Sequence, residues 1–254
     1  MPAGKMQEPA IDYIKSKGFK LILCDGDKNA FLKPKADIFL CFDIFDSNKC
    51  LNHLQEYKKD LNIVGAFTAS SDCHYSISRL AELLNSKLTW DSKISEICSD
   101  KYKTRNFLKN LCEQPKFKLL SSFDDLLLSR EFGCDTPVVL KAIDSSGSRG
   151  FQSFSSIDEI SPSNFEYTKS FSRTDEILVE EKLERSEKFI SELSVEAIFF
   201  QDSVKITNMV DRVFTHDLKK FSILKSLESF NPNEAIEFGH FNPSFLNRDI
   251  IKKI

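Results

Sequence analysis

The spacing of apolar runs does most to limit the folds open to this chain, because it changes once, near residue 95. Before that point, short apolar runs alternate with helical periods. Phe19–Cys24 is closed by Asp25-Gly26-Asp27 and reads as a buried strand ending in a turn; Asp37–Phe42 and Leu61–Phe67 are of the same type. Between them, Cys50, Leu51, Leu54 and Tyr57 share one helical face. Ile77, Leu80, Ala81 and Leu84 share another, behind a cap at Ser71 or Asp72. Ala10–Gly18 reads as a helix, and Pro2–Lys5 as the turn that follows a first strand, a strand the sequence does not supply. Continuous apolar strands alternating with amphipathic helices predict βαβ units and a parallel sheet covered on both faces.

After residue 95 the strands crowd together. Asp100 caps a predicted helix running to about Cys112. Strand signals follow at Phe117–Leu120, Pro137–Ile143, Gly150–Phe154, Glu176–Leu183, Ile190–Phe200 and Val204–Phe214, joined by polar turns. This pattern predicts antiparallel pairing with packing helices, an α+β domain. The domains expected are therefore residues 1–95 and 96–254, with Asn247–Ile254 reading as the opening of a helix. A chain of 254 residues is long enough for this arrangement.

Charge and composition exclude several function classes. The net charge is −3, with no basic surplus to attract nucleic acid. No stretch approaches the ~18 uncharged apolar residues of a membrane span, and the N-terminus lacks the apolar run of a secretion signal. Seven cysteines, an odd number without a CxxC pair, argue against a disulfide framework or a zinc site. They predict a reducing, cytoplasmic setting with mostly buried thiols. His53, His74, His216 and His240 have no partner at ligand spacing and read as structural.

With only 8 Gly in the chain, a cluster of them is informative. Pro137-Val-Val-Leu-Lys141-Ala-Ile-Asp144-Ser-Ser-Gly147-Ser-Arg-Gly150 joins an apolar strand bearing one Lys to a loop of small residues. Small side chains let backbone N–H groups approach a phosphate, and the Lys adds a point charge. The same pattern fits a plain hairpin turn with a surface Lys. The motifs GxxxxGK[ST] and GxGxxG are absent. Further on, Glu180 and Glu181 are successive strand residues, so they point to opposite faces, and one is expected to turn inward, where a carboxylate needs a partner.

The order Asp100-Lys101…Arg105, the Lys141 strand with its Ser-Ser-Gly-Ser-Arg-Gly loop, Leu-Val-Glu180-Glu-Lys-Leu183 and Glu192-Leu-Ser-Val-Glu196 resembles the ATP-grasp superfamily. That superfamily includes biotin carboxylase, the carbamoyl-phosphate synthetase large chain and amino-acid ligases. Gly4-Lys-Met-Gln7 and the βα region around it look like the family's preceding, Rossmann-like domain, and Gly239–Ser244 is similar to a segment of amino-acid-ligase-like members. The resemblance implies a pre-ATP-grasp βα domain lacking its first strand, followed by an ATP-grasp domain incomplete at its C-terminus. It implies ATP as the nucleotide, with Lys101 and Lys141 contacting phosphates from different segments, and Ser145, Ser146, Gly147 and Ser148 forming a flexible loop over them. Glu180 with the backbone at Glu181 and Leu183 would hold adenine, and Glu192 the ribose hydroxyls.

It also implies Mg2+. The family's magnesium ligands lie in a later strand pair with a Glu-x-Asn motif, for which nothing after Phe245 is a counterpart. The activity implied is ligation: ATP phosphorylates a carboxylate and an amine or similar nucleophile attacks the acyl phosphate. The partners are then small-molecule carboxylate and amine substrates, with a homodimer as the compatible assembly. The alternatives are a nucleotide-binding module without chemistry, and an α/β domain whose loop only imitates a phosphate cradle.

Overall fold

A computed structural model describes residues 1–86, 91–129, 131–183, 192–200, 203–214 and 237–246. The chain divides into two compact units, Met1–Gln114 and Pro115–Ile254. The sequence expectation places the change of character at residue 95; the division by packing falls after helices that close the first unit.

In the first unit, β1 (Ile22–Asp25) pairs in parallel with β2 (Ile38–Cys41), from Ile22 opposite Ile38 to Asp25 opposite Cys41. Helix α1 (Glu8–Ser16) carries Pro in its first turn, where a missing N–H costs nothing. Its Ile11 is buried with Ala3, Leu21, Leu23, Ala30 and Leu32 on one face of the sheet. Helices α2 (Ser47–Tyr57), α4 (Ser92–Ser99) and α5 (Lys101–Leu108) each begin behind an aspartate. Asp46, Asp91 and Asp100 accept the amides of Lys49, Ile94 and Lys103 at 3.0, 2.8 and 2.9 Å. Each such cap satisfies a donor that the first helical turn leaves unpaired.

Three expectations are corrected in this unit. Pro2 makes a parallel bridge to Cys24, with the Met1 carbonyl accepting from the Cys24 amide at 2.7 Å, so residues 1–3 act as a short strand beside β1. Leu61–Phe67 joins no ladder: among the described residues, the backbone of Val64–Phe67 takes no hydrogen bond. This segment instead lines a cavity of about 710 Å3 together with Ile22, Leu40, Phe42 and Leu54. Its apolar pattern is that of a strand, but among the described residues it pairs with neither β1 nor β2. Helix α3 (His74–Leu83) begins behind Cys73 rather than Ser71 or Asp72. The hydroxyls of Ser70 and Ser71 accept instead from the buried Gln7 amide, at 2.9 and 3.1 Å. Burial of a polar side chain demands such partners, and here it outbids the cap.

The second unit is built on antiparallel strands. Strands β3 (Phe117–Leu120), β4 (Val138–Ala142), β5 (Gln152–Phe154) and β6 (Ile177–Glu181) form a sheet in the order β3-β6-β4-β5. One face packs Leu120, Val138, Leu140, Ile177 and Val179 against Leu126 of α6 (Phe123–Leu127) and Phe165 of α7 (Pro162–Lys169). Both helices start with a capping box, Ser122 with Asp125 and Ser161 with Asn164. A further sheet holds β7 (Glu192–Phe200), β8 (Ser203–Phe214) and β9 (Glu237–Phe241), with β8 in the middle. The architecture is α/β with mixed sheets. The expected helix at 247–254 lies outside the described residues, and β9 was not foreseen.

The thiols differ from expectation as well. All seven cysteines are free, yet only Cys50 and Cys73 are buried; Cys41, Cys98, Cys112 and Cys134 are exposed. Burial pushes the Cys50 thiol up to about 11 and also raises Cys24 and Cys73.

Candidate functional site

The second unit's first sheet has a polar pair on the face opposite its core. Strands β4 and β6 run antiparallel with Val139 opposite Glu180 and Lys141 opposite Leu178, so Lys141 and Glu180 are diagonal neighbours on one face. The Lys141 ammonium donates to the Glu180 carboxylate. Glu180 is 2% exposed, while the Lys141 side chain retains 26% of its surface. A carboxylate buried this deeply is tolerable only when it is paired and hydrogen-bonded. The Lys141 ammonium also sits 5.9 Å above the Phe151 ring. Lys141 is thus a cation fixed from below by a buried anion, with part of its surface open. It stands three residues before the small-residue loop.

That loop is held at both feet by the same stretch of chain. At one foot the Asp144 carboxylate accepts the Arg173 amide at 3.0 Å, and the Asp144 carbonyl accepts from the Arg173 guanidinium at 2.6 Å. At the other foot the Gly150 carbonyl accepts the Thr168 hydroxyl at 2.8 Å, a buried bond. Phe171 lies so close to Gly150 that an added Cβ would meet its ring at 2.9 Å. Between the feet, Gly147 and Ser148 both have positive φ, +63° and +57°, and the Arg149 amide reaches the Ser146 carbonyl. Positive φ at both central positions marks a type I′ turn. Gly147, Ser148 and Arg149 are exposed. The rigid base and exposed tip fit a loop that must let something approach its backbone.

The remaining expected residues fall in separate places. Glu181 turns to the other face, as the strand period requires, and its amide donates to the Lys116 carbonyl at 2.9 Å. Leu183 lies just past β6, 66% exposed, and its backbone takes no hydrogen bond among the described residues. Glu192 opens β7, exposed and opposite Arg212. Lys101 begins α5, half-buried, in the first unit. The structure therefore brings together Lys141, Glu180 and the 145–148 loop within one unit.

Sequence reading missed three contributors. Arg149 and Arg173 lie in and against the loop, but a lone Arg in a polar turn carries no periodic signal. Asp211 is buried in β8, where its carboxylate accepts the Ser244 hydroxyl at 2.5 Å and the Phe245 amide at 2.7 Å. An Asp within the apolar run Met209–Phe214 was its only signal. It shows what the Gly239–Ser244 segment does here: it forms β9 and a turn locked onto Asp211.

Among the described residues, no group of three or more His, Cys, Asp or Glu side chains could hold a metal ion. Of the late acidic residues, Glu237 pairs with Arg212 at 2.6 Å, while Glu228, Glu234 and Asp249 lie outside the described residues, as does His216.

No protein-family model and no curated protein matches the sequence. Solved structures do. Phosphoribosylglycinamide synthetase from Anaerococcus prevotii superposes with a TM-score of 0.61 at 21% identity, over 99% of this chain and 57% of that one. L-amino acid ligase from Bacillus licheniformis gives 0.66 at 15% identity, again over 99% and 57%. The chain has the ATP-grasp fold. The biotin carboxylase domain of 2-oxoglutarate carboxylase from Hydrogenobacter thermophilus, a dimer bound to MgADP, ADP and bicarbonate, gives 0.59 at 15% identity over 83% and 49%. The chain spans about half the length of these ATP-grasp structures. Among the described residues, no helix is long and apolar enough to cross a membrane.

Proposed function

We propose that this chain binds ATP at Lys141 and the 144–150 loop, as part of an ATP-grasp ligase that activates a carboxylate for attack by an amine. In this reading residues 1–95 are the family's preceding βα domain, residues 96–254 the ATP-grasp domain, and the setting is cytoplasmic. The observation that carries the proposal is the part-open Lys141 paired with the buried Glu180 at the base of a loop pinned at both ends. Lys141 supplies a charge for the phosphates. The type I′ turn at Gly147-Ser148 lets backbone amides approach them without a Cβ at Gly147. Glu180 accepts from the adenine amine, and the exposed backbone at Leu183 offers it a further donor and acceptor. Glu192 is the proposed ribose acceptor.

The chemistry is then positioning. A carboxylate oxygen attacks the γ-phosphorus, ADP leaves, and an amine displaces phosphate from the acyl phosphate. The residues of this chain bind and orient the triphosphate, which is where most of the catalysis of phosphoryl transfer lies. No step is assigned to magnesium.

Thermal-shift titration tests the binding. ATP at about a hundredfold over Kd should stabilise the protein by about 2.7 kcal/mol, and NAD should do less. Lys141→Ala alone would take the cation away from the buried Glu180 carboxylate, a change that can cost ~3–5 kcal/mol. The informative variant is therefore Lys141→Ala with Glu180→Gln, read against Glu180→Gln alone because Glu180 also contacts adenine in this reading. It should lose the ATP shift; an unchanged shift, or none in the parent protein, would defeat the assignment.

A further inference from the structure

Arg149 is the one cation at the tip of the loop, and the structure shows it turned inward on its own turn. Its Nε donates to the Ser146 carbonyl at 3.0 Å and its terminal nitrogen to the Ser146 hydroxyl at 3.1 Å. Both contacts are exposed, so each contributes little against water. The guanidinium thus covers the polar atoms of a residue that the ATP reading places on the phosphates. The Gly150 foot hardly allows movement, wedged between Thr168 and Phe171, and at the other foot exposed contacts tie Asp144 to Arg173. Rearrangement is confined to residues 145–149, and the longest arm in that span is Arg149.

The geometry points to Arg149 as a phosphate-binding residue that Ser146 holds against the turn. The proposal rests on the ATP reading of this loop. When a triphosphate enters, the guanidinium exchanges two weak neutral contacts for charge-assisted ones. Its planar fork of donors suits phosphate oxygens in a bidentate way that an ammonium does not. The exchange also uncovers the Ser146 hydroxyl and carbonyl. Residue 149 therefore senses how far the phosphate tail extends, since a tail too short to reach the tip leaves Arg149 on Ser146.

Trypsin reads this directly, because it cleaves after an exposed arginine and the Arg149–Gly150 bond lies at the loop tip. The full chain is digested briefly alone, with AMP and with ATP, and cleavage at this bond is followed by mass spectrometry. Affinities for both nucleotides are measured in parallel on wild type, Arg149→Ala and Arg149→Lys. ATP should protect the bond and AMP should not. Arg149→Ala should weaken ATP about tenfold or more while leaving AMP unchanged, with Arg149→Lys between. If wild type binds ATP but Arg149→Ala binds it equally well, or weakens AMP to the same degree, Arg149 has no phosphate role and the Lys141 site stands without it. If wild type binds no ATP at all, both readings fall together. The substitution lies on an exposed turn, so the variants are expected to fold.

Discussion

Gly150 and Gly147 lie in one loop with nearly the same backbone conformation, φ +72° and +63°, but in different surroundings. An alanine at 147 would meet nothing within 4 Å, whereas at 150 its Cβ would lie 2.9 Å from Cδ2 and 3.0 Å from Cβ of Phe171. Gly147→Ala therefore carries only the conformational penalty of a left-handed residue, roughly 1–2 kcal/mol. Gly150→Ala adds forced repacking of about 1–3 kcal/mol. Phe171 cannot easily retreat, because it stacks edge-on against Tyr167 at 5.2 Å and follows directly on α7. The totals are about 1–2 against about 2–5 kcal/mol. At roughly 2–4 °C per kcal/mol for a unit of this size, the melting temperature should fall by about 2–8 °C and about 4–20 °C respectively. Urea titration of both variants, with and without Phe171→Ala, separates the contributions. Phe171→Ala should rescue most of the excess at Gly150 and nothing at Gly147. Equal losses at the two glycines, or no coupling between Gly150 and Phe171, would refute the claim that Phe171 wedges this foot of the loop.

Two further outcomes follow from burial and charge. Titration with a thiol reagent near pH 8 should find Cys41, Cys98, Cys112 and Cys134 reacting quickly and Cys50 protected, its thiol being pushed up to about 11 by burial; rapid modification of all seven would mean that α2 opens readily. Backbone amides at Asp37 and Asp46, the Ser122 hydroxyl and nearby amides at Asp125, and the Arg212 guanidinium at Glu237 hold these carboxylates below their ordinary values. Their stabilising contribution is complete above the unfolded carboxylate value of about 4 and is lost as pH falls through the lower folded values; a melting temperature that rises on acidification below pH 4 would contradict this.

Much of the second unit was legible because its strands are buried on both faces or bounded by turn residues. Phe117–Leu120 appears as β3 with the bounds expected, and the apolar runs at 137–143 and 176–183 appear as β4 and β6, trimmed at the ends. The first unit misled at Leu61–Phe67, where an apolar pattern reports burial but not pairing. A strand needs a partner edge, and a window of sequence contains no information about the neighbour. The cap of α3 failed for a related reason: Ser71 has the right chemistry for a cap, but Gln7, 64 residues away, takes its hydroxyl. Local signals hold until a distant buried group needs the same atom.

The candidate site divides along the same line. Lys141 and the loop were visible because they are contiguous in sequence, and Glu180 because the strand period forces one of two adjacent glutamates inward. That Glu180 is the buried one, on the face away from the core, and that it meets Lys141, depends on the β4–β6 register, which sets Val139 opposite Glu180. A slip of one residue would place Glu181 in that position and leave Lys141 facing a different neighbour. The register is pinned from the other face, where Val138, Leu140, Ile177 and Val179 close the core against Phe165. The packing that stabilises the sheet thus also selects which carboxylate meets the lysine. Arg149 and Arg173 escaped notice because their roles arise from a turn and its footing, where no period operates and only contact across 29 residues, from Asp144 to Arg173, shows what holds the loop.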